Sequence, residues 1–153
     1  RPSIVLLTRQ GLPVFDRKKY PSPEKFKKGG YIMKDCDGDP DVVILATGSE
    51  VWVALEIYEI LENINTRVVN LGCWELFDEQ SENYQLNTLG PLSALRVSIE
   101  AGITNGWEHY TGLNGLNIGI NSFGESAPGH KVADHFGIVP SKVADRILKH
   151  LKL

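Results

Sequence analysis

The sequence predicts an α/β sandwich on a mainly parallel sheet of about five strands, and three observations carry that expectation. Strand-like and helix-like segments alternate, with connections long enough to cross over a sheet. Val42 to Ala46 is an unbroken apolar run, the character of a strand covered on both faces. The segment after it sets Val51, Ala54, Leu55, Tyr58 and Leu61 at three- and four-residue spacings, which gathers them into one helical stripe.

Taken in order, Ile4-Val5-Leu6-Leu7 is short, apolar and partly β-branched, a buried-strand candidate. Gly11 to Gly30 mixes proline, glycine and lysine without a sustained period, so a linker over the surface is expected. The domain proper is expected to open at Gly29-Gly30-Tyr31. Tyr31 to Lys34 follows as a strand, Asp37-Gly38-Asp39-Pro40 as a turn and Asp41 to Ala46 as the buried strand. Thr47-Gly48-Ser49-Glu50 has the spacing of a capping box, with Thr47 as N-cap. Beyond that helix come a strand at Thr66–Leu71 and a polar helix from Asp78 to Leu86. Further strands are expected at Leu95–Ala101 and Asn117–Ser122. Helices at Lys131–Phe136 and Ser141–Leu151 end the chain, the last begun by Pro140 in its first turn.

Composition narrows the function classes. At 153 residues the chain can bury one proper core. Its 16 Lys and Arg against 19 Asp and Glu leave a net charge of −3, so neither nucleic acid nor an anionic membrane surface is an expected partner. Val42–Ala46 falls far short of the ~20 apolar residues a membrane helix needs. No charged stretch followed by an apolar one opens the sequence, so no export signal is expected. Arg1-Pro2, running straight into Ile4–Leu7, reads as a cut in a longer protein. Cys36 and Cys73 are too few for a disulfide scaffold, which favours a reduced, cytoplasmic protein.

Several motifs invite a chemical reading and fail its requirements. Asp35, Asp37 and Asp39 alternate as in a calcium loop, but Pro40 and Ala46 stand where Gly and Glu are needed. Thr47-Gly48-Ser49 lies at a strand-to-helix turn suited to an anion, yet it lacks the glycine pattern of phosphate loops, and capping explains it. His130 and His135 with Asp134 are too few for a zinc site. His109, beside Trp107 and Tyr110, reads as packing at a helix end. His150 complements the last helix dipole. Ser126 has neither a nucleophile elbow nor a placed base. Arg9 stands apart: it follows the first apolar strand, where α/β proteins place ligand contacts, and its planar fork suits phosphate. Residue type alone favours a solvated arginine there.

The order of sequence words resembles transketolases along essentially the whole chain. Pro2-Ser3-Ile4-Val5-Leu6-Leu7-Thr8-Arg9-Gln10-Gly11-Leu12-Pro13 is similar to the last strand of that family's pyrimidine-binding domain and its exit. Gly29-Gly30-Tyr31 through Ala46-Thr47-Gly48-Ser49-Glu50-Val51 resembles the start of its carboxy-terminal domain. Arg67-Val68-Val69-Asn70, Phe77-Asp78 with Gln80 and Tyr84, and Glu100-Ala101-Gly102 continue the match. So do Gly106-Trp107, Tyr110, Gly112, Gly115 and Phe123-Gly124-Glu125-Ser126-Ala127-Pro128.

The resemblance implies a division into residues 1–28, the last strand of a preceding domain plus linker, and residues 29–153, a three-layer α/β/α domain with one strand reversed. It implies a parent enzyme of the pentose phosphate pathway that moves a two-carbon ketol unit between sugar phosphates on thiamine diphosphate, with Mg2+ or Ca2+. It assigns Arg9 to the substrate's phosphate. It assigns this chain no catalytic, cofactor or metal residue: Gly38-Asp39 runs into Pro40, and no Asn-Asn pair completes the family's cofactor signature. Homodimer assembly is the domain's expected role, and the chain alone is expected to be inactive. Deoxyxylulose-phosphate synthases and oxo-acid dehydrogenase β chains share the fold and stand second. A regulatory anion-binding or purely assembling module is the remaining alternative.

Overall fold

The computed structural model of the chain describes residues 4–152. Five strands form one sheet: β1 (Gly30–Lys34), β2 (Val42–Ala46), β3 (Thr66–Leu71), β4 (Leu95–Ile99) and β5 (Leu116–Ile118), in the order β1-β3-β2-β4-β5. All neighbours are parallel except β1, which runs antiparallel to β3 with Gly30 opposite Leu71 and a bulge between Ile32 and Lys34. The sheet matches the expected class, and β1 is its reversed strand.

Six α-helices accompany it: α1 (Glu50–Ile60), α2 (Trp74–Asp78), α3 (Glu82–Leu89), α4 (Glu108–Thr111), α5 (Gly129–His135) and α6 (Pro140–Leu151). Alternation along β2 divides the core. Val42, Ile44 and Ala46 pack with Val51, Ala54 and Ile57 of α1 and Val143, Ala144 and Ile147 of α6. Val43 and Leu45 turn to the other face and meet Phe77, Leu89, Trp107 and Tyr110. Three layers result, as the two-residue period of a strand requires when both faces are covered.

Four local expectations change. The helix at Thr47 begins later: Ser49 is the N-cap, without a side-chain cap bond, and Glu50 is the first helical residue. Gly48 takes φ +56°, outside the right-handed region a first helical turn needs, so 47–49 forms a turn and no capping box closes. The polar helix at Asp78–Leu86 is two helices, parted at Glu79–Ser81, where the Ser81 hydroxyl caps the backbone N–H of Tyr84. The strands at Leu95 and Asn117 are shorter than expected, since Gly102 and Gly119 lie where the chain bends into loops. Ile4–Leu7 is no strand here; its side chains stand 70–91% exposed. A strand needs a neighbour for its N–H and C=O groups, and neither edge of this sheet takes it up. Of the expected units, residues 1–3 and 153 lie outside the described residues.

The segment expected as a linker is fastened to the rest of the chain at two places. Asp16 makes a turn, its carbonyl accepting from the N–H groups of Lys19 (3.0 Å) and Tyr20 (2.9 Å) and its carboxylate from that of Lys18 (2.9 Å). Phe15 and Tyr20 thereby reach Trp52 on α1. A 3₁₀ helix, Pro23–Lys28, capped by Ser22, then sets Phe26 over Gly72 and Lys28 4.0 Å from the Tyr84 ring centre.

Gly29 ends that helix at φ +76°, and its carbonyl accepts the Cys73 N–H at 3.0 Å. A Cβ there would overlap the Cys73 carbonyl and the Phe77 nitrogen, both backbone atoms. Gly38 has a similar φ of +79° but open space around it. Gly29→Ala is therefore expected to cost at least about 3 kcal/mol, whereas Gly38→Ala costs about 1 kcal/mol. Urea midpoints of the two variants measure the difference; equal midpoints would contradict this packing.

Candidate functional site

The connections give the sheet one reversal point. From β2 the chain passes through α1 on one face to β3 on one side. From β4 it passes through α4 on the opposite face to β5 on the other side. The carboxyl ends of β2 and β4 therefore flank the crevice where open α/β sheets take ligands. Thr47–Glu50 forms one lip and Glu100–Gly102 the other.

Both lips carry carboxylates. At the first, Ser49 Oγ donates to Glu50 Oε1 at 2.8 Å, so the α1 N-terminus is already met by a negative group of its own chain. At the second, Trp107 Nε1 donates to Glu100 Oε2 at 2.6 Å, a charge-assisted bond made by an indole only 1% exposed. No cationic side chain belongs to either lip. This arrangement does not favour the anion-binding alternative at Thr47.

The Glu100-to-Trp107 word is a locked loop. The Gly102 carbonyl accepts the Ile120 N–H at 2.7 Å, and Asn121 Oδ1 accepts both the N–H and the hydroxyl of Thr104 at 3.0 Å. Gly106, at φ +92°, leaves room for the Trp74 ring, which meets Trp107 edge-on at 5.0 Å and Tyr110 at 5.2 Å. Tyr110 donates to Asp78 Oδ1 at 3.0 Å, and the Tyr84 hydroxyl donates to the Gly30 carbonyl at 2.9 Å. Gln80 donates to the Leu76 carbonyl at 2.8 Å. These words hold elements together; reading them as separate motifs missed the pairs they form. Proximity of Trp107 to Glu100 in sequence was the available signal.

The remaining candidates disperse. Asp35 is held by Arg67 at two points, Nε–Oδ1 2.7 Å and Nη2–Oδ2 3.1 Å, while Arg67 Nη1 donates to the Asn87 carbonyl at 2.7 Å. Asp134 pairs with Lys142 at 2.8 Å, and His135 lies edge-on to Phe136. His109 is exposed, its ring edge-on to Tyr110 and its Nε2 4.0 Å from Asp78. Ser126 and the loop 121–128 around it are exposed throughout. At the amino end of the sheet a shallow depression lies between Asp41, Ala94, Arg96, Asn114 and His150. The Arg96 guanidinium there is spent on the carbonyls of Leu89, Gly90 and Tyr110.

Arg9 stands in solvent beyond the exposed Ile4–Leu7 strip, and among the described residues no group of this chain engages its guanidinium. A magnesium diphosphate needs several oxygen ligands converging on the ion. Among the described residues no three His, Cys, Asp or Glu side chains come together in that way, and Asp35 is committed to Arg67. The described residues do not fit that group. Among the described residues no helix is long and apolar enough to cross a membrane.

Comparison with known proteins agrees with this architecture. Residues 29–139 match the family model of the transketolase-like TK C-terminal domain. A transketolase of Aquifex aeolicus is 49% identical over 97% of this chain and 22% of its own length. A chloroplastic transketolase of Arabidopsis thaliana is 45% identical over 94% of this chain and 20% of its own. Among solved structures, a Pichia stipitis transketolase variant in complex with fructose 6-phosphate superposes with a TM-score of 0.84 at 36% identity. That alignment covers 94% of this chain and 20% of the other. The chain thus spans about a fifth of the length of the relatives it matches.

Burial, and the hydrogen bond to the Asp78 carboxylate, hold the Tyr110 phenol well above its ordinary value of 10.0. Below pH 10 the phenol is protonated in both the folded and unfolded chain, and its contribution is fully present. Above that, the unfolded chain loses the proton first, so stability falls as pH rises toward the raised folded value. Tyr110→Phe is expected to be about 1 kcal/mol less stable near neutrality, an advantage of the native residue that shrinks by up to about 1.4 kcal/mol per pH unit above 10. Chemical denaturation at pH 8 to 11 measures it; a constant difference would contradict the burial of this hydroxyl.

Proposed function

The chain belongs to the transketolase C-terminal domain family, and on that premise we propose that it is the carboxy-terminal portion of a transketolase. Such an enzyme transfers a two-carbon ketol unit between sugar phosphates. The observation that carries this reading is collinear similarity at 49% identity over 97% of the chain. Residues 29–153 are then the C-terminal domain, and residues 1–28 the last strand of the preceding domain with its linker. The unpaired apolar strip Ile4–Leu7 supports that division, because such a strip is covered when a neighbouring sheet accepts it as a strand.

Thiamine diphosphate with Mg2+ or Ca2+ supplies carbanion stabilisation when bound, and the groups that hold it belong to the rest of the enzyme. This chain contributes binding and assembly. Arg9 offers two parallel N–H donors to the terminal phosphate of the sugar. Binding energy gained at that remote end positions the reacting carbonyl. The domain takes part in a homodimer, and the enzyme works in the cytoplasm, consistent with its two free thiols, Cys36 and Cys73. Fractionation of the source cells tests that location, since the Arabidopsis relative is chloroplastic.

Arg9→Ala in the intact enzyme tests the anchor. The ratio of kcat/KM for a phosphorylated acceptor to that for its unphosphorylated analogue is expected to fall about 10- to 100-fold, the loss of a charge-assisted contact. Equal losses on both acceptors would contradict the assignment.

A further inference from the structure

A closed aromatic cluster holds the segment expected as a linker against the first turn of α1. Trp52 Nε1 donates to the Pro13 carbonyl at 3.2 Å. The Phe15 ring stacks on the Trp52 indole with centres 4.5 Å apart and planes 14° apart. Tyr20 stands edge-on to both, 5.2 Å from Phe15 and 6.1 Å from Trp52. Between those rings the chain folds on itself: the Asp16 carbonyl accepts the N–H groups of Lys19 and Tyr20, and Arg17 Nη1 donates to the Pro21 carbonyl at 3.2 Å. The three rings are partly buried against the core that α1 shares with α6. Stacked and edge-to-face pairs favour few orientations, so such a cluster fixes the backbone that carries it as well as burying area. A second hold follows at Pro23–Lys28, where Phe26 lies over Gly72. Ahead of Pro13, Ile4, Val5, Leu6 and Leu7 stand in solvent.

We propose that residues 13–28 are a strap of the C-terminal domain, closed by the cluster of Phe15, Tyr20 and Trp52, and that residues 8–12 alone are free chain between it and the preceding domain. The strap stands on this chain's own contacts; that a domain precedes it rests on the transketolase reading. The family match begins at residue 29, so the folded unit reaches further toward the amino end than the matched domain does. With Ile4–Leu7 held as a strand in the preceding sheet, the chain from Leu7 to Pro13 keeps that sheet within at most about 21 Å of the first turn of α1. With the cluster open, the next hold is the 3₁₀ helix at Pro23, and the permitted reach grows to about 56 Å. The cluster therefore sets how far the two domains can part. Arg9 itself is held by the strand that precedes it, whichever state the cluster is in.

Limited trypsin cleavage of this chain, with the fragments identified by mass, tests the strap. A protease must draw several residues of backbone into its cleft, so a closed segment is cut only when it opens. In the native chain, cleavage after Arg17, Lys18 or Lys19 is expected to be at least about 30-fold slower than after Arg9, although all four side chains are exposed. Trp52→Ala is expected to quicken it at least about tenfold. Phe15→Ala, which lies on the strap and leaves α1 untouched, is expected to do the same, and it carries the test even where Trp52→Ala loses its fold. The double variant adds less than about threefold to either single one, because both remove one contact. Cleavage after Arg9 stays constant throughout, and cleavage after Lys25 or Lys27, in the second hold, changes less than about threefold. Arg17, Lys18 and Lys19 cut as fast as Arg9 in the native chain would overturn the proposal. So would rates that neither substitution moves, or a quickening in Trp52→Ala alone, which would trace to α1 instead of the strap. Absence of ketol transfer from the recombined enzyme, with these rates as expected, would strike the transketolase reading and leave the strap standing.

Discussion

Everything in this domain hangs on β2, whose five residues Val42–Ala46 are wholly withdrawn from solvent. A strand with apolar side chains on both faces needs a helix layer on each side and a paired strand on each edge. β3 and β4 provide the edges in parallel register, Ile44 facing Val68 on one side and Val97 on the other. α1 and α6 cover one face, and the aromatic group around Phe77, Trp107 and Tyr110 covers the other. The order of the remaining strands follows, as does the reversal point at the carboxyl ends of β2 and β4.

The parts most legible in the sequence were those governed by this burial. Val42–Ala46, the stripe Val51, Ala54, Leu55 and Pro140 at the head of α6 all sit where period and residue type put them. The less legible parts depended on a single dihedral or a distant partner. Thr47 and Glu50 have capping-box spacing, but the positive φ of Gly48 lies between them and the helix waits for Glu50. The helical character of Asp78–Leu86 is real, yet Ser81 captures the Tyr84 amide and starts a new helix. Ile4–Leu7 has the composition of a buried strand and no sheet in this chain to bury it.

The candidate site was legible mainly by resemblance. Arg9 has no local feature that distinguishes it from an ordinary exposed arginine, since among the described residues none engages its guanidinium. The family words proved mostly mechanical. Glu100 holds Trp107, Asp78 holds Tyr110, and Tyr84 holds the start of β1 through the Gly30 carbonyl. The Asp78–Tyr110 and Tyr84–Gly30 pairs join segments remote in sequence, a constraint that motif spacing does not express. Lysine- and proline-rich composition marks residues 11–30 as a segment running over the surface, and Phe15, Tyr20 and Phe26 are the side chains that dock it there.

The decisive measurement is ketol transfer by this chain with thiamine diphosphate and Mg2+, with and without the upstream polypeptide. No transfer is expected from the chain alone, and transfer is expected when the two parts are combined. Activity in the chain alone would contradict it, because the catalytic groups would then lie within these residues.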